Sequence, residues 1–214
     1  MLELGLKIFI SYLLGSINGA LLIGRLRGVD IRQHGSGNAG GTNALRTQGK
    51  GFAVGVMLID ILKGVVPPLL LPALALPGVE QDPLVSREWL VYACGLAAVV
   101  GHCYPIWFDF KGGKGAATAL GVIAATAPVL LLPALIAWVL TLKLFGFVGL
   151  ATIAAGLVMP LYVLVAGFPE QWPLFVFALA LGLFVFYTHR SNVQKFIARQ
   201  STTDVSPWID TGRS

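Results

Sequence analysis

The chain has 214 residues, of which 56% are hydrophobic and only 12% are charged, against roughly 25% charged in a typical soluble domain. This composition excludes a soluble globular protein, because the polar side chains are too few to cover its surface, and it predicts an all-α integral membrane protein. The net charge of +5 favours contact with anionic lipid or anionic substrates. Nucleic acid is excluded as a partner because no run of cations is long enough to follow a duplex.

Six apolar stretches follow one another along the chain. They cover residues 4–24, 52–76, 89–108, 115–142, 144–169 and 171–188. The stretch 115–142 is uncharged over 28 residues, which is too long for one ordinary crossing of about 20 residues. A turn near Pro128 to Pro133 would divide it into two short helices and give about seven transmembrane helices in all. Short spans also leave re-entrant half-helices as an alternative.

The charges of the loops favour seven crossings over six. Residues 25–50 hold five Lys or Arg residues and one Asp, so the positive-inside tendency places them on the cytoplasmic side. Only seven crossings also place the cationic C-terminal segment on that side. The sequence therefore predicts an external N-terminus and a cytoplasmic C-terminus, with residues 200–214 as a polar, mobile cytoplasmic tail.

The first of three polar patches runs from Gly35 to Arg46. Its start matches the dinucleotide pattern G-x-G-x-x-G, but the strand–helix–strand context of that pattern is missing between two membrane spans. Glycines still let backbone N–H groups approach an anion, and Arg46 can bind phosphate through two hydrogen bonds. The candidate binding residues are Ser36, Gly37, Asn38, Thr42 and Asn43. The alternative is a solvated loop whose arginine only orients the chain.

The second patch, residues 111–115, leads directly into a helical run that begins at Ala116. A glycine loop that feeds a helix N-terminus presents free N–H groups to an anion, and Lys114 would neutralise what binds there. Gly112, Gly113 and Gly115 are the candidate loop residues. The patch is not a nucleotide-hydrolysing loop, because Gly115 stands where that motif has the Ser or Thr that holds Mg²⁺. The alternative is a tight turn with lysines that reach the interface.

The third patch places His189 and Asn192 at the end of the last span. The two residues share a helix face if the helix continues, and a histidine there can transfer a proton or hydrogen-bond an oxyanion. A simple interfacial anchor is the alternative. Within the second span, Asp60 and Lys63 are expected to form a structural ion pair that supports the site, with a direct part in the reaction as the alternative. His102 is expected to be an interfacial histidine with its hydrogen bonds satisfied.

Five motifs stand in order at residues 28–32, 35–46, 60–64, 111–115 and 189–192. Together they resemble those of the bacterial membrane acyl-phosphate:glycerol-3-phosphate acyltransferases, and the resemblance extends from about Ser11 to Asn192. It implies one seven-helix acyltransferase domain over residues 1–199, in the bacterial inner membrane, with its active site facing the cytoplasm. The implied reaction transfers an acyl group from acyl phosphate to the 1-hydroxyl of sn-glycerol 3-phosphate, giving lysophosphatidic acid and phosphate. This is the first acylation step of phospholipid biosynthesis.

The resemblance also assigns roles to residues. Those that match catalytic positions are Ser36, Arg46, Lys114, His189 and Asn192, and Gly112, Gly113 and Gly115 match a phosphate-binding loop. The chain departs from the family at Gly146 and Gly149, where an arginine and a serine are expected. Thr152 or the backbone is left to replace that serine. No metal-ligand motif is present, so neither a metal nor another cofactor is predicted.

The resulting hypothesis is that Arg46 and Lys114 bind phosphates while Ser36, His189 and Asn192 orient the acyl group and the hydroxyl. The alternative is a covalent mechanism, in which Ser36 forms an acyl intermediate and His189 acts as its base. A second class of protein, an organophosphate transporter, would place its site at the bilayer midplane. A thioester-dependent acyltransferase would need a His-x-x-x-x-Asp pair, which this sequence lacks. Acyl-chain length and oligomeric state stay open.

Overall fold

The computed structural model describes the backbone of residues 1–203 and the side chains of residues 1–198. Within that range the secondary structure consists of nine α-helices and three short 3₁₀ turns, with no β-strand. The helices are α1 (Leu2–Gly15), α2 (Gly19–Leu26), α3 (Gly41–Gln48), α4 (Lys50–Leu70), α5 (Arg87–Cys103), α6 (Ala116–Thr126), α7 (Leu131–Phe145), α8 (Val148–Ala166) and α9 (Trp172–Thr203). The all-helical prediction is confirmed.

Five stretches of the described chain are long and apolar enough to cross a membrane, and they contain α4, α5, α7, α8 and α9. The pair α1 and α2, bent by 47°, qualifies as a sixth when taken together. The apolar α6 is shorter, with 11 residues. The long stretch 115–142 breaks where the sequence predicts, because α6 ends at Thr126 and Ala127 leaves the helical conformation immediately before Pro128.

The last helix, α9, continues well past His189, as the predicted pairing of His189 with Asn192 requires. Its backbone remains helical to Thr203, so the first residues of the predicted tail extend the helix. The rest of that tail, residues 204–214, lies outside the described residues.

Glycines set the close approach of α4 to α6. A Cβ atom on Gly64 would lie 2.2 Å from the Thr118 carbonyl oxygen, and one on Gly121 would lie 2.1 Å from the Ile61 carbonyl oxygen. Helices in lipid associate through packing, so residues without a side chain allow the backbones to meet. The contact fixes the direction of α6, whose first turn faces the site described below.

An ion cluster joins the helices at the end of the bundle where α1 and α5 begin. The Glu3 carboxylate accepts hydrogen bonds from Lys7 Nζ at 2.8 Å and from Arg87 Nη2 at 2.9 Å. Lys7, which is 1% exposed, also donates to the Pro72 carbonyl at 3.0 Å. The cluster therefore neutralises charges that would otherwise be costly within a membrane bundle.

Buried apolar side chains from α5, α6, α8 and α9 form the main core. They include Val99, Val122, Met159, Phe177 and Leu181. Helix α7 packs mainly on α8, and only 6% of its apolar window is buried. Since α7 is apolar on all sides as far as Leu140, its exposed surface suits contact with lipid.

Candidate active site

The three polar patches meet around one cavity of about 860 Å³. Its walls contain the predicted residues Ser36, Gly37, Asn38, Thr42, Asn43, Arg46, Lys114, Gly115, His189 and Asn192. Gly112 and Gly113 instead line a neighbouring cavity of about 390 Å³, which shares Asn38 and Lys114 with the first. The fold thus brings together side chains that lie far apart in the sequence.

The first loop, residues 35–40, is held by Asn43 at the start of α3. Asn43 Oδ1 accepts the Ser36 N–H at 2.9 Å, and Asn43 Nδ2 donates to the carbonyls of His34 at 2.9 Å and Ile31 at 3.3 Å. Because the buried amide is engaged in these bonds, any contribution of Asn43 to binding is indirect. The Ser36 side chain is left exposed in the cavity.

Arg32, in the 3₁₀ turn just before the first loop, contacts the second loop. Its guanidinium pairs with Asp30 (Nη2 to Oδ2, 2.8 Å) and also donates to the carbonyls of Phe108 and Lys111, each at 3.3 Å. The hydrogen bonds from Arg32 lower the pKa of the Asp30 carboxyl below its usual value. Asp30 therefore keeps its charge at neutral pH and holds Arg32 in place.

The second loop, residues 111–115, is held against the end of α5 by backbone hydrogen bonds. The Gly112 N–H donates to the Cys103 carbonyl at 3.1 Å, and the Gly113 N–H donates to the His102 carbonyl at 3.2 Å. These two N–H groups therefore bind the protein itself, whereas the sequence suggested that they were free. The N–H groups that can bind an anion are those of the first turn of α6, where Ala116 and Ala117 line the cavity.

Lys114 connects this loop to α9. Its Nζ donates to Ser191 Oγ at 2.9 Å and contacts Asn192 Oδ1, while its carbonyl accepts the Thr188 hydroxyl at 2.9 Å. Burial lowers the pKa of Lys114 below the ordinary lysine value, and the positive charges of Lys195 and Arg190 lower it further. Both side-chain partners are neutral, so the ammonium charge remains available to an anion.

His189 is buried on α9, with its Nδ1 at 2.9 Å from the Val185 carbonyl oxygen. A carbonyl oxygen can only accept, so we assign the proton of the neutral imidazole to Nδ1. The other nitrogen, Nε2, is then a proton acceptor. This arrangement suits removal of a proton from a bound hydroxyl.

Gly149 on α8 leaves room for Asn192. A Cβ atom on Gly149 would lie only 1.8 Å from Asn192 Nδ2, so the amide occupies the space of a residue 149 side chain. Thr152 also lines the cavity, but its hydroxyl donates to the Val148 carbonyl at 2.9 Å. The absence of a serine at 149 is therefore accompanied by close packing of Asn192 against α8.

Asp60, which the sequence predicted only as a support of the site, and His102, which it placed at an interface, also line the cavity. The predicted ion pair of Asp60 with Lys63 is confirmed, with Nζ at 3.0 Å from Oδ1. The prediction for His102 is wrong, because the residue is 2% exposed and its Nδ1 lacks a hydrogen-bond partner in the described part of the chain. Its position at the end of an apolar span suggested an interface, and only the packing of α5 on α4 reveals its burial.

The remainder of the cavity is apolar. Side chains from α6, α7 and α8 line it, among them Leu120, Ile123, Leu131, Trp138 and Met159. A polar end with cations and a proton acceptor, joined to an apolar arm, can hold a molecule with an anionic head and a hydrocarbon tail. Such a cavity can also assist a reaction at the point where the anionic head joins the hydrocarbon tail.

Comparison with known proteins identifies the family. The family model "Glycerol-3-phosphate acyltransferase" matches residues 5–199. The glycerol-3-phosphate acyltransferase of Aquifex aeolicus is 40% identical over 197 residues, which are 92% of this chain and 96% of the relative.

Comparison with solved structures identifies the same family. The crystal structure of PlsY (YgiH), an integral membrane glycerol 3-phosphate acyltransferase, in its glycerol 3-phosphate form has a TM-score of 0.77 and 38% identity, covering 92% of this chain and 93% of that chain. Its lysophosphatidic acid form gives a TM-score of 0.75 at 37% identity, with the same coverage. By sequence and fold, this chain belongs to the glycerol-3-phosphate acyltransferase family and is an integral membrane acyltransferase.

Proposed function

We propose that the protein transfers an acyl group from an acyl phosphate to the 1-hydroxyl of sn-glycerol 3-phosphate and releases lysophosphatidic acid and inorganic phosphate. The observation that carries this proposal is the convergence of Arg46, Lys114 and His189 on one cavity with an apolar arm. The solved relative was captured with glycerol 3-phosphate and with lysophosphatidic acid, which supports the same acceptor and product here.

A donor with its own phosphate fits the charge of the cavity. Arg46, Lys114 and Lys195 all line it, and none of them forms a salt bridge within the described residues. Two phosphate groups held close together would repel each other, and these cations offset that repulsion. An acyl phosphate is already activated, so the protein has only to position the reactants and stabilise the departing phosphate.

In the proposed reaction His189 Nε2 accepts the proton of the 1-hydroxyl as its oxygen attacks the acyl carbon. The bond between that carbon and the bridging phosphate oxygen breaks, and inorganic phosphate leaves with the electron pair. Arg46 and Lys114 offset its charge, while Ser36 and Asn192 orient the reacting groups. The alternative through an acyl-Ser36 ester predicts that acylated protein accumulates when acyl phosphate is added without glycerol 3-phosphate.

The acyl tail would occupy the apolar arm between α6, α7 and α8. Helix α6 leaves the site at Gly115, and α7 returns to it at Gly146, since both glycines line the cavity. This path supports the seven-crossing arrangement, with α6 and α7 as two short crossings. The loops at the site end carry most of the cations, which supports a cytoplasmic active site in the bacterial inner membrane.

A donor panel tests the proposal. Purified protein is mixed with glycerol 3-phosphate and, in turn, acyl phosphate, acyl-CoA and acyl-carrier protein, and lysophosphatidic acid is quantified. We expect turnover with acyl phosphate. Turnover with a thioester but none with acyl phosphate would contradict the proposed donor.

A further inference from the structure

Asp60 on α4 and His102 on α5 are buried beside the cavity, and the proposed reaction leaves both unused. His102 Nδ1 lies 3.4 Å from Asp60 Oδ1. In the described part of the chain neither His102 Nδ1 nor Asp60 Oδ2 has a hydrogen-bond partner. Leaving buried polar atoms unpaired costs stability, so stability alone does not explain the burial of this pair beside the cavity.

His102 contacts the second loop through its backbone and its ring. Its carbonyl accepts the Gly113 N–H at 3.2 Å. A Cβ atom on Gly113 would lie 2.1 Å from His102 Nε2 and 2.7 Å from the Ala39 carbonyl oxygen. Gly113 is therefore enclosed between the imidazole and the first loop, and the two loops meet at this point.

Asp60 is linked to the first loop through the start of α2. Its Oδ1 accepts the Gly19 N–H at 3.0 Å, at the start of α2. The preceding residue, Asn18, donates from Nδ2 to the Ala39 carbonyl at 3.2 Å. Contacts thus lead from Asp60 through His102 to Gly113, and through the start of α2 to Ala39.

We infer that Asp60 and His102 are positioning residues that fix the first loop (residues 35–40) against the second loop (residues 111–115). The pair thereby sets the distance between Ser36 on one loop and Lys114 on the other. A displacement of about 1 Å in an active site can lower a rate about 100-fold. The inference rests on the proposed function, because acyl transfer is one of its readouts.

A double-mutant cycle of His102→Ala and Gly113→Ala tests the inference. Each substitution should lower kcat/KM about tenfold or more, the first by removing the support and the second by forcing the ring away. In the double variant the added methyl group no longer meets the ring, so its further effect should be clearly smaller than in the wild type. Two effects that simply multiply would overturn the inference.

Thr118→Val is the matched control, since Thr118 Oγ1 is a further buried polar atom without a partner among the described residues. Its removal should leave turnover unchanged. If His102→Ala does not fold, His102→Ser takes its place in the cycle, because its side chain is also too short to meet a methyl group on residue 113. A loss of turnover in Thr118→Val as large as in the His102 variant would show a general sensitivity to buried changes and overturn the inference.

The same cycle is measured a second time without any acyl donor, as the rise in unfolding temperature on adding glycerol 3-phosphate. The expected result is a smaller rise in each single variant and the same non-additivity in the double variant. Equal rises in all four proteins, with unchanged kcat and KM, would overturn the inference. Absence of wild-type turnover with acyl phosphate, with the rise intact, would instead count against the proposed donor alone.

Discussion

The two ends of the helical bundle use charge in opposite ways. At one end Glu3 accepts hydrogen bonds from both Lys7 and Arg87, so that the cations there face a carboxylate. At the other end Arg46 and Lys114 line a cavity and form no salt bridge within the described residues. The comparison teaches that the first end uses its charges for stability, whereas the second, beside its own ion pairs, keeps Arg46 and Lys114 available for a ligand.

The largest expected effect at the cavity end comes from Arg46→Lys. The charge is kept but the planar fork is lost, so kcat/KM should fall about 100-fold if the guanidinium binds phosphate through two hydrogen bonds. Steady-state kinetics with both substrates varied measures this. Arg27→Lys is the matched control, because Arg27 is an exposed arginine outside the cavity that lies over the Phe52 ring. Near-normal turnover of Arg46→Lys would refute the two-bond interaction.

Lys114→Ala should raise the KM for glycerol 3-phosphate about tenfold or more, because a charge-assisted hydrogen bond to phosphate is lost. Folding should change little, since the partners Ser191 and Asn192 are neutral and only half-buried. Lys111→Ala, an exposed lysine of the same loop, is the control. An unchanged KM in Lys114→Ala would mean that its ammonium group does not contact this substrate.

Gly149→Ala should lower kcat about tenfold, because the methyl group would displace Asn192 and with it the contact to Lys114. The control is Gly156→Ala on the same helix. Gly156 also lines the cavity, but a Cβ atom there meets nothing closer than 3.5 Å and does not meet Asn192, so this variant should retain most of its activity. Equal losses in both variants would show that α8 tolerates no added volume anywhere and would remove the specific role of Gly149.

The pH dependence of binding provides a smaller effect. Burial lowers the pKa of Lys114, so in the free enzyme the ammonium loses its proton at a lower pH than the ordinary value of about 10.4. The KM for glycerol 3-phosphate should therefore begin to rise below that pH, and Lys114→Ala should lack this rise. Since the unfolded chain binds the proton more tightly, the same group makes stability increase with pH across that window. An identical alkaline profile in the variant would assign the rise to another group.

At the opposite end, Glu3→Gln should leave kcat and KM of the folded protein unchanged. It should lower the unfolding temperature, because Lys7 stays buried without its carboxylate partner. Thermal unfolding and kinetics on the same preparation separate the two effects. A change in KM without a change in stability would contradict the proposed division between the two ends.

Sequence patterns predicted the helical class, the break near Pro128 and the Asp60–Lys63 pair, because hydropathy and helical spacing are local properties. They also placed Arg46, Lys114 and His189 in polar patches whose side chains prove to share one cavity. The contacts that join the patches depend on distances between helices, which spacing along the chain does not encode.

Three features could not be predicted from the sequence for that reason. The burial of His102 requires the packing of α5 against α4. The inward direction of the Gly113 N–H requires the path of the second loop back to α5. The fit of Asn192 against Gly149 requires the approach of α9 to α8. Each of them is a tertiary contact between segments that are distant in the sequence.

The most direct test of the central claim uses the double variant Arg46→Lys, Lys114→Ala, which alters both cations and touches no apolar residue. Release of inorganic phosphate and formation of lysophosphatidic acid are measured together, with acyl phosphate and glycerol 3-phosphate as substrates. The wild type should form the two products in equal amounts, and the folded double variant should form neither at a detectable rate. Substantial turnover by the double variant would place the reaction away from these cations and contradict the proposed site.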